Sequence, residues 1–174
     1  MTKKSNLDAI KALREKTSAS IGEVRKALED AGGDARKAEA LLKQRGAAIA
    51  EKRQGRTTGQ GRVEAYVHHD GRIGSLVEVD CETDFVARTP EFQQFCRDVA
   101  MHVAAMDPRY VRPGDVPAEE RATPEALQAV CLLEQPFVKD QGTTVNDLLK
   151  SLMAKTGENV VIRRFVKFGV GESA

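Results

Sequence analysis

An Asp70-Gly71 pair stands between two β-rich runs, Val63-Glu64-Ala65-Tyr66-Val67-His68 and Ile73-Gly74-Ser75-Leu76-Val77-Glu78-Val79. Asp-Gly at that place tolerates the positive φ of a tight reversal, so the stretch is constrained to a β-hairpin. Thr89-Pro90-Glu91 follows as an N-cap, a first-turn proline and a first-turn acid, and Phe92, Phe95, Cys96, Val99 and Val103 continue at helical spacing. A helix therefore starts just after the hairpin. Thr123-Pro124-Glu125 repeats the start signal before Leu127 and Val130, and Thr144-Val145-Asn146-Asp147 opens another helix carrying Leu148, Leu149 and Leu152, with Gly157 as its stop. Asn159 to Phe168 reads as a third strand, with Arg163, Phe165 and Lys167 expected on one face.

The N-terminal part has a different period. Leu7, Ile10 and Leu13 form one apolar stripe, and a capping box at Ser20-Ile21-Gly22-Glu23 leads into Val24, Ala27 and Leu28. Asp34 caps a third helix bearing Ala38, Leu41 and Leu42, for which Gly46 is the expected end. The basic, glycine-bearing run Glu51 to Gln60 has no sustained apolar period and reads as a solvated linker. The fold expected is α+β: a three-helix module over residues 1–46, a basic linker over 47–61, and a core over 62–174 with a three-stranded antiparallel sheet packed by helices.

Composition narrows the function classes. With 41% apolar residues in 174, the chain can bury a modest core. Its formal charge of +1 lacks the excess of a dedicated nucleic-acid binder, so no direct nucleic-acid binding is expected. No apolar run is long enough to cross a bilayer, and Met1 to Asn6 leads into an amphipathic helix rather than a signal core, which makes the cytoplasm the expected location. Phosphate loops, nucleophile elbows and HExxH helices are absent from the sequence.

Cys81, Cys96 and Cys131 are odd in number and match no zinc or redox spacing; they are read as reduced, with Cys96 a small buried hydrophobe. His68, His69 and Asp70 look like a metal cluster, but adjacent side chains at a strand turn are expected to point to opposite faces, and no metal is assigned. Glu78, Asp80, Glu82 and Asp84 alternate near a strand end. They read as a solvated strand face rather than as acid–base or metal carboxylates, since no nucleophile or anion loop accompanies them.

Asp84-Phe85 sits where the second strand ends and before the helix capped at Thr89, in a surface connection. Two readings stand side by side. Phe85 plugs the gap between hairpin and helix, or it is an exposed aromatic beside an acid and anchors an interface.

Three ordered blocks resemble the elongation factor Ts family. They are Leu13-Arg14-Glu15-Lys16-Thr17 through Arg25-Lys26-Ala27-Leu28, then Glu78 to Arg88 with Thr83-Asp84-Phe85-Val86-Ala87-Arg88 at its end, and Glu134 to Asp140 with Gly157 to Phe165. Ala100-Met101-His102-Val103-Ala104 lies between the second and third. The resemblance implies a ubiquitin-associated-like helical module and a core domain that together bind elongation factor Tu and speed release of its GDP. It implies a protein that is not an enzyme and carries no cofactor. It further implies that Thr83, Asp84, Phe85, Val86, Ala87 and Arg88 intrude beside the magnesium and phosphate site of that partner. The resemblance also implies that Ile21, Gly22 and Arg25 grip that partner from the helical module and that His102 lies near it.

The chain departs from the family pattern in two places. Thr17-Ser18-Ala19-Ser20-Ile21-Gly22-Glu23 replaces a TGAGMMD stretch, and Glu119 to Val130 is abbreviated. A short chain with one core unit is expected to form a homodimer, with the hairpin and Arg163 to Phe168 offering a sheet face. The alternative is a binding module without exchange activity, its second domain a dimerisation scaffold; an enzyme built on the acidic cluster ranks third.

Overall fold

The computed structural model describes residues 3–17 and 19–172. Its elements in chain order are α1 (Lys3–Thr17), α2 (Ile21–Asp30), α3 (Ala35–Arg53), β1 (Gln60–Val67), β2 (Ile73–Cys81), α4 (Asp84–Ala87), α5 (Pro90–Met106), α6 (Pro124–Val130), β3 (Pro136–Phe137), β4 (Asp140–Thr144), α7 (Val145–Thr156) and β5 (Val160–Gly169), with short 3-10 turns between α5 and β3. The chain divides into two compact units. The first runs to Gly55 and takes in Lys150–Asn159; the second holds Arg56–Leu149 and the chain from Val160 onward.

In the first unit the expected caps are formed. The Ser20 hydroxyl accepts the Glu23 N–H at 3.3 Å while the Glu23 carboxylate accepts the Ser20 N–H at 2.9 Å, so two otherwise orphaned donors of α2 are satisfied. Asp34 accepts the Arg36 and Lys37 N–H groups at 2.9 and 3.1 Å and starts α3. Leu13, Val24, Ala27, Leu28, Ala38 and Leu42 then close a small apolar core among α1, α2 and α3. Gly46 does not end α3, as its residue type suggested; the helix continues to Arg53. A Cβ at position 46 would meet the Ala154 Cβ at 3.5 Å, an ordinary contact distance, so packing does not demand a glycine there.

The second unit is built on the sheet β1-β2-β5, antiparallel throughout, with β2 in the middle. Phe92, Phe95, Cys96, Val99, Ala100 and Val103 of α5 are buried against this sheet, where Val77, Val79, Cys81, Val160 and Ile162 are buried in turn. The Ser75 hydroxyl donates to the Ala100 carbonyl at 2.6 Å and ties helix to strand inside that layer. The opposite face of the sheet stays open, with Val63, Val67, Leu76, Val166 and Phe168 all exposed. Helices thus cover one side of the sheet, as expected.

The register of β5 corrects one expectation. A bulge opposite Glu78/Val79 pairs Val79 with Ile162 but Glu78 with Arg164. The extra residue breaks the period of two, so Arg163 turns outward to Asp80 while Ile162 and Val160 take the core face. Arg163 therefore does not share a face with Phe165 and Lys167. The short β3–β4 hairpin was also not foreseen, having too few residues for any period to show.

Gly61 is where β1 presses closest on β2. A Cβ there would lie 2.3 Å from the Val79 carbonyl oxygen and 2.8 Å from the Asp80 Cα. Both are backbone atoms that cannot swing aside, so Gly61→Ala is expected to destabilise the protein by about 1–3 kcal/mol. A thermal melt followed by circular dichroism checks this, and an unchanged midpoint would show that the strand edge adjusts freely.

Candidate functional site

The connection from β2 to α5 is a built turn. Thr83 caps α4, its hydroxyl accepting the Val86 N–H at 3.3 Å, and its carbonyl accepts the Cys81 thiol at 3.1 Å. On the far side Thr89 bonds twice, donating to the Val86 carbonyl at 2.8 Å and accepting the Phe92 N–H at 3.3 Å. The Val86 side chain is buried and roots the turn in the core. With its two ends capped and its middle rooted, the single helical turn of α4 directs the residue before Val86 outward. Phe85 is 78% exposed, the most exposed large apolar side chain among the described residues. The plug reading fails on that number.

Asp84 and Arg88 flank the ring. They pair at 2.9 Å one turn apart on α4, and both remain largely in solvent. The other acids of the alternating run are likewise matched with arginines: Glu78 with Arg164 at 2.6 Å, Asp80 with Arg163 at 2.7 Å, and Glu82 with Arg56 at 3.5 Å. These four carboxylates do not converge on one point, and each has a cation of its own. The surface around α4 therefore presents a rigid aromatic knob set among ion pairs.

A family model described as Elongation factor TS matches residues 5–125, which takes in both α2 and α4. The chain is 49% identical to the elongation factor Ts of Rubrobacter xylanophilus, the alignment covering 94% of this chain and 98% of that one. It is 46% identical to that of Carboxydothermus hydrogenoformans over 94% and 88% of the two chains, and 45% identical to that of Thermotoga petrophila over 96% of each. The chain belongs to the elongation factor Ts family. Its alignment with the Rubrobacter relative spans 191 positions against 174 residues here, so this chain lacks segments that the relative has.

The residues singled out from the family pattern fall into three structural classes. Thr83, Asp84, Phe85 and Arg88 are exposed on or beside α4, and Ala87 is half-buried. Ile21, Gly22 and Arg25 are exposed at the start of α2, with Ile21 and Arg25 one turn apart on the same side of the helix. Ser18, within the altered turn before α2, lies outside the described residues. The third class is buried. Val86 is buried at the root of the turn, and His102 is fully buried within the second unit.

His102 is held by bonds inside the second unit. Its Nδ1 accepts the Val138 N–H at 3.2 Å, which leaves the proton on Nε2 for donation to the Gln135 amide oxygen at 3.0 Å. Gln135, itself buried, passes the chain on by donating to the Ala129 carbonyl at 3.1 Å. Sequence reasoning missed Gln135 because no local pattern marks a bond spanning that much of the chain.

Burial holds the His102 imidazole below its ordinary pKa, and the bond to Gln135 offsets this only in part. A folded pKa below the unfolded value near 6.5 means the unfolded chain takes up the proton first as acid is added. Stability is then full above about pH 6.5 and declines as pH falls from there toward the lower folded value. Thermal midpoints measured across this range are expected to fall on the acid side, and the slope is expected to flatten in His102→Gln. An equal slope in that variant would remove His102 as the cause.

All three cysteines are buried thiols outside any disulfide. Burial pushes the Cys96 thiol up to about 12, so it is no nucleophile at neutral pH. At the other end of β2, His68, His69 and Asp70 contradict the expectation that their side chains diverge. They lie in a turn rather than a strand, the alternation of faces lapses, and one ligating atom from each comes within 4.8 Å of the others. No helix among the described residues is long and apolar enough to cross a membrane.

Proposed function

We propose that this chain binds elongation factor Tu in the cytoplasm and accelerates release of its GDP by disturbing the magnesium and phosphate site, so supporting translation elongation. The observation that carries the reading is Phe85, held almost fully in solvent on a turn too well capped to fold it inward. Membership of the elongation factor Ts family supplies the partner.

The energetics divide the work. Nucleotide held at nanomolar affinity corresponds to about 12 kcal/mol, whereas burying one phenylalanine contributes about 1.5–3 kcal/mol. Phe85 cannot expel the nucleotide by itself. It wedges beside the phosphate and magnesium contacts while Asp84 perturbs them, and the remaining coupling comes from the helical module through Ile21, Gly22 and Arg25 and from the rest of the core. Because linkage is reciprocal, bound GDP weakens attachment of the factor by the same factor. The test is release of fluorescent GDP from purified elongation factor Tu. Acceleration by the wild-type chain at micromolar concentration supports the proposal, and an unchanged rate refutes it.

Asp84→Ala is expected to slow exchange without unfolding. Its partner Arg88 is largely exposed, and such surface pairs contribute about 0–1 kcal/mol to stability. An unchanged exchange rate would remove Asp84 from the site.

The open sheet face supports a homodimer. Val63, Val67, Leu76, Val166 and Phe168 line one side of β1, β2 and β5 and are all exposed. A sheet with an apolar outer face gains by stacking on a second copy. Solution mass by light scattering reads this directly, and a monomer at micromolar concentration would contradict it.

A further inference from the structure

The tip of the β1–β2 hairpin holds chemistry that nucleotide exchange does not use. The His68 N–H bonds to the Ile73 carbonyl and the Gly71 N–H to the His68 carbonyl, both at 2.8 Å, closing a turn over His68, His69, Asp70 and Gly71, with Gly71 at φ 69°. We infer that His68, His69 and Asp70 form a binding site for a divalent transition-metal ion, zinc being the ion best suited to two imidazoles and one carboxylate.

Donor atoms around a tetrahedral zinc at about 2.0–2.2 Å stand roughly 3.3 Å from one another. The separations here, within 4.8 Å, close to that value by side-chain rotation at a tip where His69 and Asp70 are exposed. The supporting bonds are in place. The Tyr66 hydroxyl lies 3.0 Å from His68 Nδ1; with Nδ1–H donating to it, the ring is set in the tautomer whose Nε2 lone pair is open to an ion. Asp70 Oδ1 accepts the Arg72 N–H at 3.0 Å, which leaves the second carboxylate oxygen as a donor. The His69 ring meets His68 edge-on at 4.3 Å between centroids, so the two imidazoles already stand together. Three protein donors leave a fourth position for water, the arrangement of a site that loads and unloads reversibly.

Competing ligands are few. His102, the third histidine of the chain, is fully buried with both ring nitrogens engaged, and the three cysteines are buried. Zinc chloride titrated into the untagged full-length chain, followed by calorimetry and by the imidazole NMR signals, tests the inference. The expected result is one equivalent bound, with the His68 and His69 signals moving and that of His102 unmoved. His68→Ala and His69→Ala are each expected to weaken binding at least tenfold, and Tyr66→Phe by about tenfold as loss of an orienting partner. Asp70→Asn keeps an acceptor for the Arg72 N–H, so it preserves the turn while removing the anionic donor, and it too is expected to weaken binding. Absence of saturable uptake by the wild-type chain, or uptake unchanged in both histidine variants, would overturn the site.

Discussion

Phe85→Ala is expected to reduce the acceleration of GDP release by roughly 30-fold or more, with the thermal midpoint of the protein unchanged. The first half follows from what a central aromatic anchor contributes. Truncating such a residue typically costs at least about 2 kcal/mol, and each 1.4 kcal/mol is a factor of ten in rate. The second half follows from exposure. At 78% exposed, Phe85 contributes almost nothing to the core, and surface substitutions of that kind stay within about 0.5 kcal/mol. Exchange kinetics and a melt on the same sample give both numbers. A lowered midpoint with proportionally lowered activity would mean that the ring packs after all.

Phe92→Ala is expected to do the reverse. Phe92 lies in the first turn of α5 with no exposure, and its N–H is held by the Thr89 hydroxyl that also grips Val86. Cutting a buried phenylalanine back to Ala costs about 3–5 kcal/mol in transfer and cavity terms. Against a total stability of about 5–15 kcal/mol this is a large fraction. The expected fall in midpoint is roughly 10 to 15 °C for a chain of this size. Exchange activity should survive at low temperature, where the fold persists, and vanish as the protein melts. Loss of exchange in fully folded Phe92→Ala would instead place Phe92 in the functional surface.

Much of the fold was written in local signals, and these two phenylalanines show where local signals stop. Phe92 was legible as core because it continues a helical period after Thr89-Pro90-Glu91, and the hairpin was legible because Asp70-Gly71 divides two β-rich runs. Phe85 belongs to a turn of only four residues, too short to carry a period, so spacing favours a ring plugged between hairpin and helix, and the burial of Val86 instead is visible only in the fold. The same limit hid the bulge that turns Arg163 outward, since one inserted residue shifts the alternation without changing the composition. Gly46 suggests a helix end by residue type alone, and only the continuation of α3 to Arg53 shows that it is interior. Strand alternation predicts that the His68, His69 and Asp70 side chains diverge, and a turn does not obey it.

The central claim, that Phe85 acts through the magnesium and phosphate site of elongation factor Tu, is tested most directly by a two-way cycle. GDP release is measured with the wild-type chain and with Phe85→Ala, each in excess magnesium and with magnesium chelated. Two perturbations that act on one contact are non-additive. The ratio of wild-type to variant rates is therefore predicted to shrink markedly once magnesium is removed, because the ion that the wedge disturbs is already gone. An equal ratio in both conditions would contradict the account.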